Sequence, residues 1–241
     1  MAIDCCLLAG RLMMEAGAET YRVEDTMVRM AETQELPAPQ SFVTPTGIIF
    51  SPGSYHPTKL IRIKERTTDL EKVALVNAVS RKLTAAEYTL EEAYTKLQEI
   101  EKSNVMFPVW LQIIAAAIAS ACFLILYEGL WTDIPAALCA GGVGFIVVLL
   151  IHDLTKVKFF AEFMASLFVG LIAFGAIKLG GGTNLDKIII GSVMPLVPGL
   201  LITNAVRDLM AGHFMSGVSK GAEAFLTAFA IGVGVALVLS F

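Results

Sequence analysis

Short mixed patterns of hydrophobic and polar residues fill the first part of this chain, and long apolar runs dominate the rest. The chain begins with two patterns of helical spacing, Ile3–Leu12 and Val23–Met30, which the helix breaker Gly17 separates. These patterns predict a helical hairpin. Its second helix would carry Glu24 and Asp25 in its first turn, where the helix dipole favours acidic side chains.

The next segment is rich in branched residues and in alternating charge, a pattern that is typical of strands. Phe42–Phe50 and Lys59–Arg66 lie on either side of a Pro/Gly turn, and they predict two or three antiparallel strands. Thr68–Glu71 and Thr89–Glu92 each place a hydroxyl three residues before a carboxylate, which predicts a capping box at a helix start. Residues 1–104 are therefore predicted to form a small α+β domain.

Long apolar runs, which are candidates for membrane-spanning helices, follow this domain. There are five of them: Phe107–Tyr127, Ile134–Ile151, Phe159–Ile177, Ile188–Ile202 and Ala222–Phe241. A helix of about 20 apolar residues crosses the hydrocarbon core of a bilayer. The fourth run contains Pro195 and Pro198-Gly199, which predict a broken helix that continues to Gly212.

The predicted fold is thus a polytopic α-helical membrane protein with two domains. Residues 1–104 form the cytoplasmic α+β domain, and residues 105–241 form five transmembrane helices, the fourth broken at Pro195 and Pro198-Gly199.

Composition and charge agree with this division. The chain is 56% hydrophobic and only 17% charged, and 12 of its 18 basic and 15 of its 22 acidic residues lie in residues 1–104. A net charge of −4 gives no basic surface for nucleic acid. The four cysteines lack metal-ligand spacing, so we expect no metal or other cofactor, and we expect the thiols to be reduced and buried.

Loop charges predict an orientation in the membrane, because lysine and arginine are retained on the cytoplasmic side. The loops that would be cytoplasmic carry more basic charge, at Lys102, Lys156, Lys158, Arg207 and Lys220. The N-terminus also lacks the pattern of a signal peptide. We therefore expect a multi-pass protein of the cell membrane with a cytoplasmic N-terminal domain and an external C-terminus.

The break in the fourth run is a candidate binding site, because backbone groups freed within a membrane must be satisfied by protein, water or ligand. A half-helix starting at Pro198-Gly199 would present unpaired amides that favour an anion. Asn204, Arg207 and Asp208 share one face by helical spacing, and Thr203 lies beside Arg207. The predicted substrate-binding residues are Pro198, Gly199, Thr203, Asn204 and Arg207.

Two acids near this site are candidates for carrying a coupling proton, Asp208 and Glu223. An alternative stays open for each of them. Arg207 and Asp208 would also fit the cytoplasmic end of a span, and Glu223 would fit a membrane edge. The small residues of Ala140–Gly144 and Gly217–Gly221 are interpreted as helix-packing positions.

Two segments of the chain resemble the threonine/serine exporter family of bacteria. They are Ala16-Gly-Ala-Glu-Thr-Tyr-Arg-Val-Glu-Asp-Thr26 and Pro198-Gly-Leu-Leu-Ile-Thr-Asn-Ala-Val-Arg-Asp-Leu-Met-Ala-Gly212, with Ser216-Gly217 and Gly221-Ala-Glu223 after them. Fused members of the family have about ten spans, so five spans resemble the larger subunit of a split exporter. The resemblance implies a separate small partner of about five spans, as in a pair implicated in succinate export, whereas fused members are associated with threonine and serine.

The sequence therefore predicts a subunit of a secondary transporter that exports a small carboxylate-bearing solute, coupled to protons. A passive channel is the first alternative. The second is a membrane-anchored sensor or enzyme acting through residues 1–104, although no nucleophile with a base is visible. Expected partners are the lipid bilayer, the small subunit and the solute, and homo-oligomers stay open.

Overall fold

A computed structural model describes residues 1–53, 57–103 and 107–240. The chain forms two compact units, Met1–Met106 with Leu201–Gly221 and Phe107–Leu200 with Ala222–Phe241. The predicted domain boundary between residues 104 and 105 lies outside the described residues. The first unit also includes Leu201–Gly221, a segment that the sequence analysis assigned to the transmembrane domain.

The N-terminal part of the first unit is an α+β fold. Its elements are α1 (Ala2–Glu15), α2 (Thr20–Thr33), β1 (Gln40–Thr44), β2 (Gly47–Ser51), β3 (Lys59–Arg62), α3 (Leu70–Thr84) and α4 (Leu90–Lys102). The predicted helical hairpin is confirmed, and the three strands pair antiparallel in the order β1-β2-β3. The third strand ends at Arg62, before the predicted Arg66.

Helix starts in this unit agree only in part with the predicted caps. The capping box at Thr89 and Glu92 is confirmed. The predicted capping box at Thr68 and Glu71 is wrong. Helix α3 starts at Leu70, and Asp69 caps it by accepting from the Lys72 amide at 2.9 Å. The predicted position of Glu24 and Asp25 in the first turn of α2 is also wrong. The helix starts at Thr20, so both residues lie beyond that turn.

The core of this unit contains two adjacent thiols that belong to α1. Cys5 and Cys6 are buried as predicted, whereas Cys122 and Cys139 are exposed on apolar helices, contrary to the prediction. Burial raises the pKa of the Cys5 thiol to about 11 and that of Cys6 to about 12. The thiolate is the reactive form, so both groups should be chemically inert in the folded protein.

We expect Cys5 and Cys6 to react with N-ethylmaleimide at pH 7.5 at least about 100-fold more slowly in the folded than in the denatured protein. The reaction should accelerate as the pH rises toward 11, because only the thiolate attacks. Mass spectrometry of the N-terminal peptide measures the modified fraction over time, with protein in guanidinium chloride as the control. Equal rates in both states would show that α1 is not packed.

The apolar part of the chain contains the longest helices. They are α5 (Val109–Leu126), α6 (Ile134–Thr155), α7 (Lys158–Lys178), α8 (Leu185–Val193), α9 (Gly199–Met210) and α10 (Phe214–Leu239). Among the described residues, four helices are long and apolar enough to cross a membrane, or up to five if the interrupted pair of α8 and α9 is one span. The chain is thus mostly helical with a small sheet, as expected for a polytopic membrane protein.

The predicted break in the fourth run is confirmed. After α8 a short 3-10 turn covers Met194–Leu196, and a new helix starts at Gly199. Pro195 and Pro198 lack the amide hydrogen that a continuous helix needs, which explains the interruption. The fifth predicted span begins earlier than expected, since α10 starts at Phe214 instead of Ala222.

Glycines allow close helix contacts, as the small-residue segments predict. A Cβ on Gly141 of α6 would lie 1.9 Å from Ser120 Oγ of α5, and one on Gly144 would lie 2.6 Å from Val169 Cγ2 of α7. In the first unit, a Cβ on Gly217 would lie 2.6 Å from Leu209 Cγ. The interpretation of these glycines as packing positions is confirmed.

Candidate functional site

The two segments that carry the family resemblance meet within the first unit, where α9 lies against the start of α2. The chain turns between α1 and α2 at Gly17, whose φ of +88° lies in the left-handed region that favours glycine. Helix α2 then starts at Thr20 with Glu19 as its N-cap, and the Glu19 side chain makes no capping bond. The first amides of α2 therefore need acceptors from elsewhere.

Asp208 of α9 supplies that acceptor. Its fully buried carboxylate accepts hydrogen bonds from the Thr20 amide at 3.0 Å and from Thr20 Oγ1 at 2.8 Å. A carboxylate at this position also interacts favourably with the positive end of the helix dipole. The cap of α2 thus comes from a residue 188 positions later in the chain.

Lys220 of α10 completes this cluster. Its side chain is 3% exposed, and Nζ lies 2.8 Å from Asp208 Oδ2. The ammonium group also donates to the Ala18 carbonyl and to Thr20 Oγ1, each at 3.3 Å. Three acceptors match the three N–H donors of a lysine, so the buried ion pair is fully hydrogen-bonded at this end.

Arg207 makes a second, more accessible ion pair beside the first. Its Nη1 donates to Glu19 Oε1 at 2.6 Å, and its side chain is 55% exposed while that of Glu19 is 9% exposed. Glu19 also holds Arg22 through Oε2, at 3.0 Å. Next to this pair, Asn204 Nδ2 donates to the Gly17 carbonyl at 2.9 Å. One face of α9 therefore contacts the α1–α2 turn through three consecutive polar interactions.

A third contact lies further along, between α2, β1 and the start of α10. Glu24 accepts from the Val43 amide at 2.8 Å, and its other oxygen lies 3.6 Å from His213 Nδ1. Burial raises the pKa of Glu24, and the nearby Asp208 carboxylate adds to that rise, while the Val43 amide and His213 act against it. Ser216 Oγ donates to the Val43 carbonyl at 3.2 Å.

A cavity of about 210 Å³ lies at this third contact. It is lined by Phe42, Val43, Gly212, His213, Phe214, Met215 and Ser216.

The structure divides the predicted site residues into separate groups. Asn204, Arg207 and Asp208 come together on α9, as predicted from their spacing, and Thr203 is an exposed neighbour. Gly199 is the first residue of α9, Pro198 precedes it, and both belong to the second unit. Glu223 belongs to the second unit, where it pairs with Lys158 at 3.1 Å.

Four residues that complete the cluster were not predicted as site residues: Gly17, Glu19, Thr20 and Lys220. All except Lys220 lie in the first family segment, where Glu24 and Asp25 predicted a helix start later than Thr20. The usable signal was the Gly17 turn followed by Thr20, a residue type that favours helix starts.

The family model described as "Putative threonine/serine exporter" matches residues 4–241. The chain belongs to this family. The family match over residues 4–241, together with the long apolar helices, supports a multi-pass membrane protein.

Relatives in this family carry different names. A Mycobacterium tuberculosis protein named "Probable threonine/serine exporter" is 22% identical over 99% of this chain and 45% of its own length. A Klebsiella aerogenes protein named "Probable succinate transporter subunit YjjP" is 24% identical over 98% of this chain and 92% of its own length.

A third relative is the Candida albicans "Pheromone-regulated membrane protein 10", which is 26% identical over 94% of this chain and 21% of its own length. This chain thus spans less than half of the longer relatives, such as the Mycobacterium tuberculosis and Candida albicans proteins. No solved structure matches the chain.

Proposed function

We propose that this chain is a subunit of a secondary transporter that exports a small carboxylate-bearing solute, coupled to protons. Relatives over the same residues are named for threonine and serine export and for succinate transport. All three solutes carry a carboxylate. The observation that supports a carboxylate site most directly is the ion pair between the exposed Arg207 and the buried Glu19.

In this proposal Glu19 occupies the place that a solute carboxylate takes during transport. The planar guanidinium of arginine binds carboxylates through two parallel hydrogen bonds, and the contact to Glu19 uses Nη1 of Arg207. A solute carboxylate would compete with Glu19 for this group, with Asn204 and Thr203 as neighbouring polar contacts. Pro198 and Gly199 would contribute through the start of α9.

The proposed membrane arrangement is five spans with the N-terminal domain in the cytoplasm and the C-terminus outside. Three contacts at successive levels support the number of spans: Lys158 with Glu223, Ser166 with Gly234, and Gly170 with Val238. They show that α7 and α10 run parallel. The chain between two parallel spans must cross back once, and the interrupted pair of α8 and α9 is the segment available for that crossing.

A separate small membrane subunit is part of the proposal. The support is the word "subunit" in the names of relatives that this chain matches over 92% of their length. The proton-carrying roles of Asp208 and Glu223 stay predictions. Asp208 already accepts from Thr20 and Lys220, which favours a fixed anchoring role for its carboxylate.

Substituting each member of the Arg207–Glu19 pair in turn tests the proposal, because the two changes should affect transport in opposite directions. Proteoliposomes containing the chain, with and without a candidate small subunit, are assayed for counterflow of labelled succinate, threonine and serine. Arg207→Lys should lower kcat/KM for the transported carboxylate by about 10-fold or more, because a lysine loses the two-pronged contact. Glu19→Gln should instead lower KM, because it removes the internal competitor.

Arg29→Lys is the matched control, since Arg29 forms an exposed pair with Asp25 at 2.9 Å on the same helix as the Glu19 cap. It should transport like the wild type. If Arg207→Lys and Glu19→Gln both raise KM, the Arg207–Glu19 pair only stabilises the fold. Transport in Arg207→Lys at the wild-type rate and KM would remove Arg207 from the binding site, and carboxylate flux that ignores a pH gradient would favour a passive pore.

A further inference from the structure

Polar residues follow the contact between α7 and α10 in the second unit. On α7 they are one helical turn apart, at Lys158, Glu162 and Ser166, and on α10 Glu223 and Thr227 have the same spacing. The glycines of this seam bring the helices close: a Cβ on Gly234 would lie 2.1 Å from Ser166 Oγ. A polar seam inside apolar helices is expensive and usually functional in membrane proteins.

The first pair of residues along this seam is a partly exposed ion pair. Lys158 Nζ lies 3.1 Å from Glu223 Oε1, with side chains 45% and 21% exposed. One turn further along both helices, Glu162 is 7% exposed and Thr227 is fully buried. Burial thus increases sharply from the first pair to the second.

The second pair contains two buried polar atoms without a hydrogen-bond partner among the described residues. They are Glu162 Oε2 and Thr227 Oγ1. The groups that act on the Glu162 carboxyl are Lys158 on its own helix and Thr227 and Glu223 on α10. On α6, which also packs against α7, the titratable His152 and Asp153 are exposed, and Asp153 pairs with Lys156.

These surroundings suit a carboxyl group that changes its protonation state. An ionised carboxylate whose buried Oε2 lacks a donor is unfavourable in an apolar interior, whereas a protonated carboxyl is neutral and can donate its O–H to the Thr227 hydroxyl. Lys158 is four residues before Glu162 on one helix, so its ammonium can reach either Glu223 or Glu162. One carboxyl and one hydroxyl offer too few oxygens for a divalent cation, which takes six or more.

We propose that Glu162 carries the coupling proton, with Thr227 as its hydrogen-bond acceptor and Lys158 as a charge that moves between Glu223 and Glu162. When Glu162 is protonated, Lys158 pairs with Glu223, as in this structure. When Glu162 releases its proton to water, Lys158 moves to the new carboxylate. This inference rests on the proposed transport function and places the proton on Glu162 instead of Asp208 or Glu223.

The test separates exchange of solute from transport driven by a gradient. In wild-type proteoliposomes an imposed pH gradient should drive net solute accumulation, and counterflow without a gradient should also occur. Glu162→Gln mimics the protonated state, so it should keep counterflow within about twofold while gradient-driven accumulation falls by about 10-fold or more. Asp153→Asn, an exposed acid on the neighbouring helix, is the matched control and should keep both activities.

The outcomes distinguish the two proposals. If wild-type protein shows neither activity with any of the three solutes, the proposed function fails, whatever Glu162 does. If Glu162→Gln keeps accumulation driven by the pH gradient, the proton is elsewhere and this inference fails. If a sodium gradient drives accumulation in the wild type and a pH gradient does not, the site binds a cation and the inference also fails.

Further variants keep the proposal testable if Glu162→Gln does not assemble. Glu162→Asp keeps the carboxyl but shortens its reach to Thr227, so it should shift the pH at which transport is half-maximal. Thr227→Val, which removes the acceptor at nearly constant volume, should shift that pH in the wild-type background too. A pH profile that neither substitution moves would overturn the assignment of Glu162.

Discussion

Replacing Asp208 with alanine is expected to destabilise the first unit by about 3–5 kcal/mol, because the substitution leaves a buried charge without its partner. The Lys220 ammonium, 3% exposed, would keep only two neutral acceptors. The Thr20 amide and hydroxyl would lose their acceptor at the same time, so α2 would also lose its cap.

Unfolding of purified protein in detergent, followed by thermal denaturation and by limited proteolysis between α1 and α2, measures this effect. Asp153→Ala is the matched control, since Asp153 and Lys156 form an ion pair with side chains 86% and 72% exposed. That substitution should leave stability nearly unchanged, because an exposed ion pair contributes little. Equal losses in the two variants would contradict the burial of the Asp208 pair.

A double substitution separates the charge from the position. Asp208→Leu combined with Lys220→Met removes both charges and leaves no unpaired ion, so it should be less destabilising than Asp208→Ala alone. The Thr20 groups still lose their acceptor in the double variant, which sets a lower limit of about 1 kcal/mol for the remaining loss. A double variant at least as unstable as the single one would show that capping, and not charge pairing, dominates this cluster.

The same cluster links the proposed solute site to the N-terminal helices. Arg207 and Asp208 are adjacent on α9, and they contact adjacent residues, Glu19 and Thr20, at the start of α2. A solute that displaces Glu19 from Arg207 would release one of the two ion pairs while the buried pair of Asp208 and Lys220 stays. If the proposed solute site is right, the predicted α+β domain of residues 1–104 has a physical route by which solute binding would change the contacts at the start of α2.

Local sequence signals predicted most of the elements. The helical hairpin, the antiparallel strands and the broken fourth run all follow from periodicity or from proline and glycine, which act within a few residues. The Thr68–Glu71 box failed for a local reason as well, because Asp69 competes for the same capping position and a carboxylate accepts hydrogen bonds more strongly than a hydroxyl.

The site could be predicted only in part, because its contacts are between distant segments. Spacing correctly placed Asn204, Arg207 and Asp208 on one face, but no pattern within α9 indicates which partner covers that face. The partner is the α1–α2 turn, 188 positions away in the chain. The burial of Glu162 could not be predicted from α7 for the same reason, since it depends on α10.

Replacing Gly191 with alanine should destabilise the second unit by roughly 1–3 kcal/mol, although alanine favours helices over glycine by about 1 kcal/mol. An added Cβ would lie 2.8 Å from the Leu124 backbone nitrogen, 3.0 Å from Leu124 Cα and 3.0 Å from the Ser120 carbonyl oxygen. These atoms belong to the backbone of α5 and cannot rotate away as a side chain does, so α8 would have to move from α5.

Gly175→Ala is the matched control, because Gly175 lies in α7 of the same unit and a Cβ there meets nothing within 4 Å. It should leave the thermal midpoint in detergent unchanged or raise it, since only the helix preference acts. Comparing the two identical substitutions isolates the close approach of α8 to α5 from glycine's intrinsic cost in a helix. A midpoint for Gly191→Ala at or above that of Gly175→Ala would mean that α8 does not lie against the α5 backbone.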